Sequence, residues 1–293
     1  MRQSGRADRE NFNLRDQFDM DLTLLCIGDV VGNPGRQVLR DGLKFYAENG
    51  KVHCVIANAE NTAGGSGLTT ALYEKILHYG VDAVTLGDHI YRRRDIIGCL
   101  ERSEKMVRPA NLPISAPGRQ VAIIETNSGH RVAVISLLGR LYMKTMADCP
   151  FAAVDRVLAT VPKDVNVVVV DVHAEATSEK IALGWHLDGR VSLVFGTHTH
   201  VPTADECILP QGTAYITDLG MTGPYDSILG REKTPVLSSM ISAVPNRFDV
   251  ASGDLRMCGV IVTVDSSTGK AKSIERVCHR QPEETRRDER DED

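Results

Sequence analysis

The chain has no apolar run long enough to cross a bilayer as a helix. It also lacks a secretory signal, since Met1 to Asp21 alternates charged and amide residues around no apolar core. Four acids in that stretch, Asp8, Glu10, Asp16 and Asp19, argue against an amphipathic transit peptide. There is no Cys-x-x-Cys pair, and the seven cysteines are an odd number. Cys26, Cys54 and Cys258 sit inside apolar runs, which predicts buried free thiols in a reducing, cytoplasmic setting and no disulfide framework. A net positive charge is missing too. The formal value of −5 argues against a nonspecific grip on long nucleic acid and leaves room for a small anionic substrate held through metal ions. With no Gly-x-Ser-x-Gly elbow and no cysteine beside the histidine motifs, a nucleophilic Ser or Cys mechanism has no support. Gly28-Asp29-Val30-Val31-Gly32-Asn33-Pro34-Gly35 lacks the Gly-x-Gly-x-x-Gly spacing, and places Asp29 where a pyrophosphate needs neutral backbone. No Gly-Lys-Ser/Thr comes after it, so it is not a P-loop.

What is present is an ordinary globular composition, 42% hydrophobic and 25% charged over 293 residues. Residues 1–20 read as a polar extension and 279–293 as a charged tail, both expected to be disordered, around one folded domain at 21–278. Within it, apolar runs alternate with helical patterns. Leu22–Val31 reads as one buried strand, with Asn33 as the cap of the next helix and Gly50 as its end. Further strands are expected at Val52–Ala57, Val81–Leu86, Val165–Val172, Val191–Phe195, Ala214–Thr217 and Gly259–Val264. Helices are expected at Thr69–Tyr79 and Ser178–Asp188, and a hairpin at Val121–Glu125 and Arg131–Leu138. This alternation predicts an α/β fold with a largely parallel sheet and some antiparallel pairs.

The informative residues are the polar ones at the C-terminal ends of the strands. Five apolar runs lead into Asp29, Glu60-Asn61, Asp88-His89, His173 and His198-Thr199-His200. If those strands are parallel and adjacent, these residues share one rim of one sheet, the edge where α/β sheets bind ligands. His198 and His200 are two apart, so in extended chain their side chains point to the same face. Imidazole with carboxylate suits Zn, Fe, Mn and similar ions. Three histidines, three carboxylates and an amide exceed the needs of one tetrahedral ion, which predicts a two-metal site with a shared carboxylate. A single His or Asp at a strand end is most often a cap or a satisfied core group; the weight lies in five coincidences. His53, His78, His130, His186 and His279 are read as ordinary structural or surface residues, and Asn61-Thr62-Ala63-Gly64-Gly65-Ser66-Gly67 as a flexible loop beside the site.

These motifs resemble the YmdB-like branch of the calcineurin-type metallophosphoesterases. The resemblance rests on Gly28-Asp29-Val30-Val31-Gly32, Asn58-Ala59-Glu60-Asn61, Leu86-Gly87-Asp88-His89, the stretch from His173 to Lys180 and Gly196-Thr197-His198-Thr199-His200-Val201, and continues through Thr203–Glu206 and Gly220–Asp226. It implies a four-layer α/β/β/α sandwich and hydrolysis of small phosphodiesters, 2′,3′-cyclic nucleotides in particular. It also implies two transition-metal ions, Fe or Mn with Zn as the alternative, and a homo-oligomer. Carried over, one metal takes Asp29, Glu60, Asn61 and His200, and the other takes Glu60, Asp88, His173 and His198, with Glu60 bridging. His89 is then no ligand: it contacts the phosphate and protonates the leaving oxygen after attack by a metal-bridging hydroxide. Two departures stand out. Ala59 replaces a family glycine, a small change. Asp88 replaces a family asparagine, adding a full negative charge that predicts tighter metal binding, a weaker Lewis acid and an open metal identity. Asp88 therefore keeps alive a regulatory protein that binds a nucleotide with weak turnover. A metal-dependent ribonuclease is a further alternative, but Arg92-Arg93-Arg94 is the only local basic cluster and reads as a solvated helix face. A metal that only stiffens the fold leaves the extra, non-ligand His89 unexplained.

Overall fold

The computed structural model describes residues 21–50 and 52–282. Strand β1 (Asp21–Ile27) and the short β2 (Asp29–Val30) lead to α1 (Gly32–Asn49), then β3 (Cys54–Asn58), α2 (Thr70–His78), β4 (Ala83–Thr85), α3 (Ile96–Arg102) and β5 (Met106–Val107). The middle of the chain forms β6 (Val121–Glu125), β7 (Arg131–Leu138), α4 (Pro150–Leu158), β8 (Val167–His173), α5 (Thr177–Leu187) and β9 (Leu193–Thr197). Last come β10 (Cys207–Ile208), β11 (Ala214–Ile216), β12 (Met221–Pro224), α6 (Lys233–Ser242), β13 (Leu255–Asp265) and β14 (Ala271–Arg280).

The strands make two sheets. One is eight-stranded, ordered β2-β12-β13-β1-β3-β4-β5 with β14 added to β13; the other is six-stranded, ordered β10-β11-β9-β8-β7-β6. β1, β3, β4 and β5 run parallel, as do β7, β8, β9 and β11. Antiparallel pairs occur at the hairpins β6–β7 and β13–β14 and also at β1–β13, β12–β13 and β10–β11.

Strand periodicity explains the layering. Leu22, Leu24 and Cys26 of β1 face Val167 and Val169 of β8 and Leu193 and Phe195 of β9 in a core between the sheets. The alternate residues Leu25 and Ile27 pack under α1 and α2, and Val168, Val170 and Val172 pack under α4 and α5. Strands buried on both faces read as continuous apolar runs. The result is the four-layer α/β/β/α sandwich. The seven cysteines are free thiols, and among the described residues no helix is long and apolar enough to cross a membrane.

Several expectations need correction. The functional strand ends do not share one sheet: β1, β3 and β4 belong to the first, β8 and β9 to the second. Leu22–Val31 is two strands broken at Gly28, where a Cβ would lie 1.9 Å from the Gly220 carbonyl oxygen. Asn33 does not cap α1; the N-cap is Val31, and Gly32 N donates to Asn61 O at 2.9 Å, so the 61–67 loop occupies that helix end. The folded chain also passes residue 278, because β14 reaches Arg280 and Gln281 N donates to Leu255 O. The expected extension at 1–20 and the tail from 283 onward lie outside the described residues.

Candidate metal centre

All the strand-end residues meet where the inner faces of the two sheets open at one rim. Glu60, Asp88, His173 and His198 each offer a ligand atom, and those atoms lie within 4.8 Å of one another. His173 Nε2 is the hub. It stands 3.1 Å from Glu60 Oε1, 3.2 Å from Asp88 Oδ1 and 3.0 Å from His198 Nδ1. Beside this group, Asn61 Nδ2 lies 3.4 Å from Asp29 Oδ1 and 3.2 Å from His200 Nε2, which is itself 3.8 Å from Asp29 Oδ1. His89 completes the cluster, with Nδ1 at 2.7 Å from Asn61 Oδ1 and its backbone N–H donating to Glu60 Oε2 at 2.9 Å.

The donor set fits a cation. Two imidazole nitrogens and two carboxylate oxygens face one point, and Glu60 Oε1 is buried without a hydrogen bond of good geometry. Electrostatics agree. For Asp88, burial raises the carboxyl pKa, but hydrogen bonds from His173 and His198 outweigh it and hold the group well below the ordinary carboxylate range. For His173, burial works against charge, yet Glu60 and Asp88 drive the ring well above the usual histidine value. Asp29 likewise has burial opposed, and overcome, by His200, His173, His198 and the His198 N–H, so its pKa is lowered. The pocket demands positive charge at its centre.

Behind His173 stands a polar group that the strand-end pattern does not reveal. Thr197 Oγ1 donates to Asp171 Oδ1 at 2.6 Å and lies 2.9 Å from His173 Nδ1. The threonine hydroxyl has one proton, and Asp171 receives it, so His173 Nδ1 is the donor of the pair and Nε2 is left facing the cluster. Thr85 and Asn58 also donate to Asp171 Oδ2, at 2.5 and 3.1 Å. Burial still dominates and raises the Asp171 carboxyl to about 6. A signal for it existed: Asp171 is two residues before His173 in a strand, hence on the same face. Glu175 Oε2, 3.3 Å from His198 Nε2, and the Leu229 carbonyl, 3.1 Å from His200 Nδ1, are further neighbours found only in three dimensions.

The His-x-His segment departs from its expected geometry. β9 ends at Thr197, and His198 and His200 have φ of 95° and 63°. This left-handed backbone costs about 1–3 kcal/mol per non-glycine residue and persists only where its surroundings enforce it. The turn sends the two rings to different places, His198 to His173 and Asp88, and His200 to Asn61 and Asp29. The 61–67 loop is braced rather than loose: Arg231 donates to Gly64 O and Gly65 O at 3.1 and 2.5 Å, and Arg93 to Ala63 O at 3.2 Å. Arg92, Arg93 and Arg94 are otherwise exposed.

Comparison with known proteins places this arrangement in context. The model of the YmdB-like protein family matches residues 25–277. A 2′,3′-cyclic-nucleotide 2′-phosphodiesterase of Bacillus subtilis (strain 168) is 44% identical over 256 residues, covering 87% of this chain and 96% of that protein. The crystal structure of a hypothetical protein from Thermus thermophilus superposes with a TM-score of 0.83 at 39% identity, over 89% of this chain and 100% of that one. The structure of a Mycoplasma pneumoniae protein described as a novel phosphatase gives a TM-score of 0.83 at 32% identity, over 89% and 94%.

Proposed function

The chain belongs to the YmdB-like family, and on that premise we propose that it is a two-metal phosphodiesterase hydrolysing small phosphodiesters, 2′,3′-cyclic nucleotides above all. The observation that carries the reading is the convergence of Glu60, Asp88, His173 and His198 on one point, with His89 at its edge and outside the set. One ion is assigned to Asp29, Glu60, Asn61 and His200, the other to Glu60, Asp88, His173 and His198, with Glu60 common to both. Fe or Mn suits this mixed N/O set, and Zn is the alternative. When bound, the ions supply Lewis-acid charge against the phosphate oxygens and lower the pKa of water for attack.

The protein's own groups do the rest. Asn61 stands 2.7 Å from His89 Nδ1 through Oδ1 and faces Asp29 and His200 through Nδ2, so holding an ion beside those two residues would take the amide turned over. With His89 Nδ1 engaged by Asn61, Nε2 is the nitrogen that hands a proton to the departing ribose oxygen. Such general-acid help contributes typically about 10²–10⁴-fold. Asp171 and Thr197 fix the His173 ring so that Nε2 keeps facing inward.

The deciding experiment is elemental analysis of the purified protein followed by turnover of 2′,3′-cyclic AMP and bis-p-nitrophenyl phosphate with and without Mn²⁺. About two ions per chain with metal-dependent hydrolysis is the expected result. Two ions with tight nucleotide binding and little turnover favour the second reading, a regulatory nucleotide-binding protein, for which the added charge of Asp88 is the specific support. Failure to take up metal after reconstitution overturns both.

A further inference from the structure

The metal centre hangs on a strained turn, and the structure shows what holds that turn. Thr199, between the two left-handed histidines, donates twice to one oxygen: its hydroxyl to Asp218 Oδ2 at 2.8 Å and its backbone N–H to the same atom at 3.3 Å. Lys180 Nζ donates to that oxygen as well, at 2.6 Å. The other oxygen, Oδ1, accepts the Gly220 N–H at 2.8 Å. Lys180 and Asp218 are both buried, at 0% and 1% exposure, so this is an ion pair sealed inside the protein rather than a surface contact.

The three partners of this carboxylate come from three segments that carry or adjoin the assigned ligands. Lys180 lies on α5, the helix that comes after His173. Thr199 separates His198 from His200. Gly220 precedes Met221, which pairs with Asp29 in the first sheet. The backbone around the pair is shaped to admit it. A Cβ on Gly196 would meet the Thr217 carbonyl oxygen at 1.8 Å and the Lys180 side chain at 2.7 Å, so the glycine of the Gly-Thr-His-Thr-His run leaves a passage for the lysine. Asp218 is in turn fixed by Thr203, whose hydroxyl accepts the Asp218 N–H at 2.9 Å and whose N–H donates to Asp218 O at 3.0 Å.

We propose that the buried Lys180–Asp218 pair, acting through Thr199, is the positioning device of the metal centre: it enforces the left-handed His198–His200 turn and so sets how the two imidazoles are presented to cations. Neither residue touches the cluster, so both act through others. A buried pair is an expensive way to stabilise a fold, since an apolar replacement of similar shape often does as well. Its value here is conformational. Four donors from three residues meet on one fixed carboxylate and determine the turn that carries two ligands, and partners of this outer kind typically govern metal affinity by about 10–100-fold.

The inference rests on the proposed metal-dependent reading, and its test separates the two. Mn²⁺ affinity is measured by calorimetry on the full chain, well below the unfolding temperature, for wild type, Thr199→Val, Thr199→Ser and the charge-balanced double variant Lys180→Met/Asp218→Asn. Thermal unfolding of the metal-free proteins is recorded alongside. Thr199→Val removes the hydroxyl, with its bond to Asp218 and the 3.4 Å bond it accepts from the Val201 N–H, and keeps the backbone bond to Asp218; it is expected to bind Mn²⁺ about tenfold more weakly, and the double variant to lose about 10–100-fold. Thr199→Ser, which restores the hydroxyl, is expected to recover wild-type affinity. If the double variant does not fold, the Thr199 pair decides alone. Wild-type affinity in Thr199→Val and in any folded double variant, whatever happens to the unfolding temperature, reduces the pair to a structural role and overturns the inference alone. A wild-type protein that binds no Mn²⁺ overturns the metal-dependent reading and the inference with it.

Discussion

Asp88→Asn is the most informative single substitution, because it restores the amide of the resembled pattern and changes one charge with almost no change of shape. Asp88 Oδ1 lies 3.2 Å from His173 Nε2 and 3.5 Å from His198 Nδ1. Donor atoms within 4.8 Å of one another leave an enclosed cation close to each of them. At a separation of about 4 Å and an effective dielectric of about 20, a divalent cation and one unit of negative charge are worth about 8 kcal/mol. The asparagine keeps a ligating oxygen, and a neutral side chain is cheaper to desolvate, so more than half of that is offset. A net loss of about 1.4–2.8 kcal/mol remains, or about 10–100-fold in Mn²⁺ affinity. Turnover at saturating Mn²⁺ should move the other way, since the remaining ligands donate less charge to the ion. Calorimetric titration with Mn²⁺ and initial rates on bis-p-nitrophenyl phosphate measure both. Unchanged or tighter Mn²⁺ binding in the variant refutes the placement of Asp88 in the metal's shell.

Other substitutions test separate links. His89→Ala should retain its metal but lose about 10²–10⁴-fold in turnover of 2′,3′-cyclic AMP, while bis-p-nitrophenyl phosphate, whose leaving group needs no proton, is largely spared; equal losses on both substrates remove the acid role. His198→Ala should lose both bound metal, read by elemental analysis, and turnover on either substrate; full metal occupancy would take His198 out of the ligand set. Asp265 accepts hydrogen bonds from Ser267 and Thr268 in the β13–β14 turn and pairs with Lys272, and the Ser267 bond leads the causes that lower its pKa from 3.8 to about 2. A depressed carboxylate pKa gives stability that is present above pH 3.8 and lost as pH falls through about 2. The stability gap between wild type and Asp265→Asn, from urea melts, should therefore shrink between pH 4 and pH 2, and a gap independent of pH contradicts the assignment.

The site was legible because its residues end apolar strands. An apolar run such as Leu193-Val194-Phe195 that leads into His198 and His200 leaves few bland explanations, and in the structure Glu60, Asp88, His173 and His198 converge, with Asp29, Asn61, His89 and His200 beside them. The two-sheet division was not legible, because strand periodicity says that both faces are buried and not which element buries them. Pairing is decided by long-range packing, as in the register of Met221 with Asp29 across most of the chain. The turn at His198 escaped for another reason. Positive φ is uncommon for any non-glycine residue, so the turn shows only through its bonds to Asp218 and Asp29. Helices α3, α4 and α6 also went unassigned. α6 buries only Val236, so its sequence carries no clear apolar stripe to read. The polar group behind His173 shows the opposite case, since Asp171 was readable by the period-two rule and missed because it sits inside the strand rather than after it.

The order of strands in the first sheet has a consequence for when the protein becomes competent. β13, which comes after every ligand-bearing segment, lies between β1, which comes before them, and β12, which holds β2 and Asp29 in place. A nascent chain that has emerged only as far as His200 contains every assigned ligand in its sequence, yet the frame that sets Asp29 opposite His198 is not assembled until Leu255–Asp265 arrives. On the proposed ligand set, metal capture would wait for β13, and a chain ended before it would carry the ligands without the pocket.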